Sequence, residues 1–213
     1  MKFTVSTFFN KLRLIVAWWP DSLLWKPRIR QLLSDNPSIP GAAIGVTTFM
    51  DRFEPCFKTL LKRLVSLFPE NRILVLINGH YRAEEHKAYL ERAKAFCESF
   101  PNVKVISYTE PAGLSVLWNR AIRESGEERI ILLNDDLNIR SDFRAFLSGS
   151  GILTSQIATI NNSWSHFIIS RGVVDEVGYF DEGLTEIGGE DDDYLARMAM
   201  KGLHPKNYNT SSL

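Results

Sequence analysis

A chain of 213 residues, 45% hydrophobic and 23% charged, suits one domain with a proper core and at most a short extension. Its 25 Lys and Arg balance 25 Asp and Glu, so no global basic field points to nucleic acid as a partner. No apolar run reaches the roughly 18–20 residues that cross a bilayer, which excludes a spanning helix on the sequence pattern.

Residues 1–30 carry Lys2, Lys11, Arg13, Lys26, Arg28 and Arg30 against Asp21, interleaved with Phe3, Phe8, Phe9, Trp18, Trp19 and Trp25. A basic, aromatic-rich amphipathic segment can lie in a membrane interface or pack on the domain, and both readings stay open. The apolar stretch Leu14–Trp19 is short and no small-residue cleavage site follows, which speaks against a signal peptide. Residues 31–41, with Pro37, Pro40 and Gly41, read as a linker. The expected organisation is an extension over 1–41 and a main domain over 42–213.

In the main domain strands and helices alternate. Ala42–Thr48 is an apolar, β-branched run and predicts a buried strand. A helix follows from about Glu54, with Pro55 in its first turn, apolar positions at Phe57, Leu60, Leu61, Leu64 and Phe68, and Pro69 as its stop. Ile73–Ile77 predicts a second strand ending at the turn signal Asn78-Gly79. Residues 83–100 predict a helix with Tyr89, Ala93, Phe96, Cys97 and Phe100 on one face. Val103–Tyr108 reads as a third strand, Leu114–Arg123 as a helix and Arg129–Leu133 as a fourth strand. Further on, His166–Ser170 predicts a strand, with helices at Gly172–Val177 and Asp191–Lys201. Strands without polar alternation are buried on both faces. The fold class is therefore α/β, a doubly wound, mostly parallel, Rossmann-like sheet flanked by helices, with ligands at the strands' carboxyl ends.

Two acidic runs carry the candidate chemistry. Asp135-Asp136 directly follow the apolar strand, in ILLNDDLNI. Adjacent carboxylates repel, and a hard cation, Mg²⁺ or Mn²⁺ with a diphosphate, relieves that repulsion. The alternative is a solvated turn in which Asn and Asp satisfy local backbone. Gly188-Gly189-Glu190-Asp191-Asp192-Asp193 opens the last helix. Acids there favour the helix dipole, yet four in a row exceed what capping requires, and the glycines let a ligand approach the backbone. A carboxylate held there can act as a general base. There is no GxSxG, P-loop or HExxH pattern. His80, His86, His166 and His204 are scattered and read as surface or hydrogen-bonded residues rather than metal ligands. Cys56 and Cys97 lack metal spacing and read as reduced core thiols, as in a reducing compartment.

Four segments, in order, resemble a family-2-type glycosyltransferase of the GT-A fold. IGVTTFMDRFEPCFKTLLKRL resembles the first strand, nucleotide-facing loop and first helix. EPAGLSVLWNRAIRES resembles the segment leading into the strand before the metal motif, ILLNDDL resembles the DxD-type motif itself, and SHFIISRGVVDEVGYFDEGLTEIGGEDDDYLARMAMKG resembles the closing block with its ED motif. GGEDDD is also similar to the acidic motif of β-1,4-galactosyltransferases, although Ile187 stands where they place Trp.

The resemblance, over about residues 42–203, implies a role for each matching residue. Asp136 would bind the metal and Asp135 would contact metal or donor ribose, with Asn134 standing where a strict DxD has aspartate. Asp191 would be the catalytic base and Glu190 would orient the acceptor, beside Gly188 and Gly189. Thr47, Thr48 and Arg52 would border the nucleotide, Asn78 would lie near its base, and Asn119 and Arg120 near the donor diphosphate or sugar.

The implied activity is metal-dependent, inverting transfer of a hexosyl or N-acetylhexosaminyl group from a nucleotide-diphosphate sugar, UDP-linked by preference. The acceptor would be a hydroxyl of a saccharide or lipid-linked saccharide, as in polysaccharide biosynthesis. The implied location is the cytoplasm, with peripheral membrane contact through residues 1–30. Two other functions compete: a non-catalytic sugar-nucleotide-binding protein, and a sugar-phosphate nucleotidyltransferase. The latter's glycine-rich first loop is missing from TTFMDRFEP.

Overall fold

The structure, a computed structural model, describes residues 39–184 and 188–213. The segment read as a membrane-facing or packed helix over 1–30 lies outside the described residues.

Strand β1 (Ala42–Thr48) and strand β2 (Ile73–Ile77) are buried along their whole length. Strand β3 is Val103–Ser107 and strand β4 is Arg129–Asn134. Helix α1 (Lys58–Leu67) and helix α2 (Ala83–Glu98) follow β1 and β2, and helix α3 (Leu114–Ser125) precedes β4. β1 pairs in parallel with β2 on one side and β4 on the other, and β3 lies outside β2.

Side-chain alternation divides the core. Ile44, Val46, Ile73, Val75, Ile77, Ile131 and Leu133 face one apolar cluster, filled by Leu60, Leu61 and Leu64 of α1 and Tyr89, Ala93 and Cys97 of α2. Ala43, Leu74, Leu76, Ile130 and Leu132 face the other, filled by Leu117, Trp118, Ala121 and Ile122 of α3. Each fully buried Leu or Ile contributes about 1.5–3 kcal/mol of transfer free energy. Two filled faces are what uninterrupted apolar strands require, so the doubly wound reading holds.

The second half is more mixed than the sequence indicated. Helix α4 (Phe143–Gly149) leads to strand β5 (Ile157–Ile160), strand β6 (Ser163–Ser170), helix α5 (Arg171–Val177), helix α6 (Glu190–Met200) and strand β7 (Lys206–Tyr208). The sheet order is β3-β2-β1-β4-β6-β5-β7, with β6 antiparallel to both neighbours. β5 and β7 were not anticipated, because four- and three-residue strands carry too little periodicity. β6 begins at Ser163 rather than at His166, since its polar first half does not read as a strand.

The chain order reverses between β1 and β4. β2 and β3 build outward on one side of β1, and β4 opens the other. That reversal falls at β1 and β4, and the carboxyl ends of strands at such a reversal are the position where open α/β sheets bind ligands.

Candidate active site

The register of β1 on β4 places Thr47, one residue before the end of β1, opposite Asn134, the last residue of β4. Thr47 Oγ1 donates to Asn134 Oδ1 at 3.3 Å. Asp135 follows at once and is 2% exposed, whereas Asp136 is exposed. The loop beyond them is tied down from α1, where Arg63 Nη1 donates to the Ile139 carbonyl.

The chain after β1 coils immediately, through a 3₁₀ turn at Met50–Arg52 and a π-type turn at Phe53–Phe57, before α1 begins. Pro55 therefore sits in the opening turns, where its missing N–H costs little. This coiling carries Arg52 onto the acidic pair. Its Nη1 lies 3.1 Å from Asp135 Oδ1 and 2.7 Å from Asp136 Oδ2.

Burial pushes the Asp135 carboxyl above its ordinary range, against the opposing pull of Thr48 and Arg52. Thr48 Oγ1 and Asp135 Oδ2 are both buried, and neither makes a hydrogen bond of ordinary geometry. The Tyr89 hydroxyl from α2 is buried and unpartnered in the same way, and burial raises its pKa with the Asp135 charge adding to the effect. Thr48 thus faces both the Asp135 carboxylate and the Tyr89 hydroxyl and opposes the rise of their pKa values, which gathers three buried oxygens at this end of the sheet.

The residues present fit a hard divalent cation. Asp135 offers an unused buried oxygen and Asp136 an exposed one, the oxygen donors that Mg²⁺ and Mn²⁺ prefer. Among the described residues no three His, Cys, Asp or Glu side chains gather into a cage. Diphosphate oxygens and water would complete the shell, the usual arrangement at sites shared with a phosphate substrate.

The other predicted residues are placed around this pair in different ways. Asn78 ends β2, and its amide is used on the backbone: Oδ1 accepts from Gly79 and Ala112, and Nδ2 donates to the Ala112 carbonyl. Gly79 is required here, since a Cβ would lie 2.0 Å from the Glu110 carbonyl carbon. Asn119 is fully buried in α3; Nδ2 donates to the Phe180 carbonyl and Glu182 Oε1, and Oδ1 accepts from the Phe180 N–H. Arg120 is exposed and pairs with Glu124 at 2.8 Å. Thus Asn119 anchors the chain that leads to α6.

An aromatic cluster supports the same chain. Trp118 packs edge-on against Phe167 and Phe180, and Phe180 stacks on Tyr194 of α6 at 4.1 Å. Gly188 and Gly189 both hold φ near +94°, which side chains resist, and deliver Glu190 and Asp191 to the first turn of α6. Asp191 Oδ1 accepts from the Asp192 N–H. Asp193 is bound by Arg197 through Nε and Nη2, and Arg197 Nη1 caps the carbonyls of Val177 and Tyr179. Arg197 therefore ties α6 to the end of α5, and Asp193 orients its guanidinium.

Two buried residues near this end of the sheet carry no functional signal in the sequence pattern. Tyr89 was visible only as one apolar-face position among several. His166, read as surface or satisfied, is buried opposite Leu133 on β6, with Nδ1 bonded to Ser165 Oγ and Nε2 unpartnered. Burial lowers its pKa, opposed by the charge of Asp136. His86 is buried with Nε2 on the Tyr108 carbonyl, and His204 is exposed.

Solved structures share this architecture. The mannosyltransferase PcManGT from Pyrobaculum calidifontis, in complex with GDP-Man and Mn²⁺, superposes with a TM-score of 0.61 at 14% identity, over 93% of this chain and 65% of that one. TarS residues 1–349 from S. aureus gives 0.54 at 14% identity, over 81% of this chain and 58% of that one. GalNAc-T7 with UDP, GalNAc and Mn²⁺ gives 0.61 at 11% identity, over 83% of this chain and 43% of that one. The chain thus spans less than two thirds of the length of each. No protein-family model and no curated protein matches the sequence. The fold is GT-A, as the sequence resemblance implied.

Proposed function

We propose that this chain is a metal-dependent glycosyltransferase that moves a sugar from a nucleoside-diphosphate sugar, UDP-linked by preference, to a hydroxyl, with inversion. The observation that carries the reading is Asp135-Asp136, a half-buried carboxylate pair with an unused oxygen, at the reversal point of a GT-A sheet. The mannosyltransferase and GalNAc-T7 solved with Mn²⁺ support a cation in this fold. Bound between Asp135 and Asp136, Mn²⁺ or Mg²⁺ would supply charge neutralisation for the leaving diphosphate.

The chain's own residues do the rest. Thr47, Thr48 and Arg52 border the nucleotide at the ends of β1 and its loop. Asn78 shapes the turn beside the base, and Arg120, next to the anchor Asn119, faces the donor's phosphate or sugar. Asp191 takes the proton from the acceptor hydroxyl as the hydroxyl attacks the anomeric carbon on the face opposite the diphosphate. Glu190 orients that hydroxyl, and Gly188 and Gly189 leave room for a saccharide or lipid-linked saccharide. A nucleoside-diphosphate release screen across donor sugars, with acceptor mixtures and with or without Mn²⁺, tests the reading. We expect Mn²⁺-dependent release from a UDP-sugar; no release from any donor would sink it.

Residues 1–30 are proposed as a peripheral membrane contact, on their basic and aromatic composition. No described helix is long and apolar enough to cross a membrane. Liposome flotation of the full chain against a chain starting at Ser38 tests the contact, and equal flotation would remove it.

A further inference from the structure

We infer that Arg52 is a resident counter-ion for Asp135 and Asp136, which must release both carboxylates before a divalent cation binds them. The inference rests on the metal reading proposed above and adds to it a residue that competes for the same oxygens.

Three observations carry it. First, one nitrogen serves both acids: Arg52 Nη1 is within hydrogen-bond reach of Asp135 Oδ1 and Asp136 Oδ2 together. An arginine that clamps a single carboxylate normally uses two nitrogens in a fork. Here one NH₂ group of the delocalised guanidinium donates a hydrogen to each of two carboxylates, so a single side chain bridges the oxygens that a divalent cation would need. Second, Arg52 is the cation that meets both acids in the free protein. Asp135 is 2% exposed, and water alone cannot neutralise a buried carboxylate beside a second one. Third, Arg52 is free to leave. Its side chain is 38% exposed, and its other contact is the Phe49 ring, 5.2 Å from the guanidinium carbon. Arg52 ends a 3₁₀ turn that a π-type turn follows, a local geometry frequent at functional sites.

The exchange has a chemical consequence. Two carboxylates and one arginine carry a net charge of −1, and a divalent cation in place of that contact makes the site neutral while freeing the guanidinium. The released side chain is then available to an incoming diphosphate, which arginine binds well. Cation and donor therefore bind with positive coupling, because each removes a cost the other would meet.

Mn²⁺ binding to the full-length protein, measured by calorimetry at physiological ionic strength, tests this without reference to turnover. Arg52→Gln should bind Mn²⁺ more tightly than the wild type, by about five- to tenfold, the scale of one or two partly exposed ion pairs. Arg82→Gln removes the same charge from the neighbouring loop, where Arg82 pairs with Asp51 and Glu85. Screening should hold its effect to about twofold or less. A melting curve confirms folding, and Arg52→Met replaces Arg52→Gln should the latter unfold. Equal or weaker Mn²⁺ binding by the Arg52 variant overturns the exchange and leaves the metal reading standing. An equal gain from Arg82→Gln also overturns it, since a diffuse field would then be the cause. Absence of Mn²⁺ binding in every protein, with UDP present, overturns both the exchange and the metal site. Donor cleavage in EDTA would then show that transfer itself survives.

Discussion

Asp135 and Asp136 close a buried strand, whereas Glu190 to Asp193 open a helix whose first turn is half exposed. The first pair depends on a counter-charge brought from a distant part of the chain, Arg52, and still leaves one oxygen unpaired. The second run needs no distant partner. Its charges sit at the positive end of a helix dipole, and Asp193 pairs with Arg197 one turn along. Equal densities of carboxylate therefore carry unequal meaning. A stretch that the local helix satisfies is stable without a ligand, and of its four acids Asp193 is the one tied up in a side-chain ion pair. A stretch at the end of a buried strand is not satisfied locally, and that shortfall is what a cation would fill.

Breaking the second run should have the largest effect on turnover. Asp191→Asn keeps the side-chain shape and the contact to the Asp192 N–H, so the melting temperature should hold. An amide cannot accept the proton, and transfer should fall about 10²–10⁴-fold. Asp193→Asn makes the contrast within the same helix. It weakens an i,i+4 pair worth about 0.3–0.5 kcal/mol and should lower stability slightly while sparing transfer. Near-normal transfer by Asp191→Asn, measured as saccharide product, would remove it as the base.

In the first run, Asp136→Asn should cost about 10²–10³-fold in transfer, the scale of losing one preorganised electrostatic group. It should also weaken Mn²⁺-dependent UDP binding, which Asp191→Asn should not. Calorimetry of UDP with Mn²⁺ and with EDTA separates the two. Identical UDP affinity in both buffers would take the metal away from Asp136.

The parts of this contrast that were legible in the sequence are those set by local pattern. ILVLI and IILL read as doubly buried strands because nothing in them suits water, and both acidic runs are visible as runs. The partnership of Arg52 with Asp135 was not legible, because 83 positions separate them and only the β1–β4 register brings them together. Asn119 was expected beside the donor, whereas its amide holds Phe180 and Glu182; a buried asparagine in a helix gives no sign of its partner from sequence. β5 and β7 escaped because they are short, and β6 began earlier than expected because Ser163–Ser165 face half-open space.

Asn119 gives the next smaller effect and joins the two regions, since it ties α3 to the chain that delivers Glu190 and Asp191. Asn119→Ala leaves the buried Phe180 N–H and carbonyl without partners, which costs about 1–3 kcal/mol of stability. Denaturant unfolding should show a lower midpoint with an unchanged slope. Transfer should fall less than in Asp191→Asn, because the aromatic stack of Trp118, Phe180 and Tyr194 still holds the segment. An unchanged midpoint would mean that Asn119 is not the anchor its hydrogen bonds describe.

The smallest effect is a pH dependence that belongs to the strand-end cluster. His166 is buried beside β4, and its pKa is lowered by burial, although the charge of Asp136 pulls the other way. In the unfolded chain a histidine binds its proton near pH 6.5, while in the folded protein it resists doing so. Between those two pKa values the unfolded state holds more protons, so stability falls as pH drops below about 6.5 and recovers as pH rises. The slope from one such group cannot exceed about 1.4 kcal/mol per pH unit. Asp135 acts in the opposite direction, because its raised pKa makes the folded state the better proton binder, but its window starts from the carboxylate value near 3.8. Unfolding free energies measured from pH 7 to 5.5 should therefore decline in the wild type and decline less in His166→Gln. In Asp136→Asn the favourable charge beside His166 is gone, the histidine resists protonation further, and the decline should extend to lower pH. Parallel curves for wild type and His166→Gln would show that His166 is not held neutral by its burial beside the acidic pair.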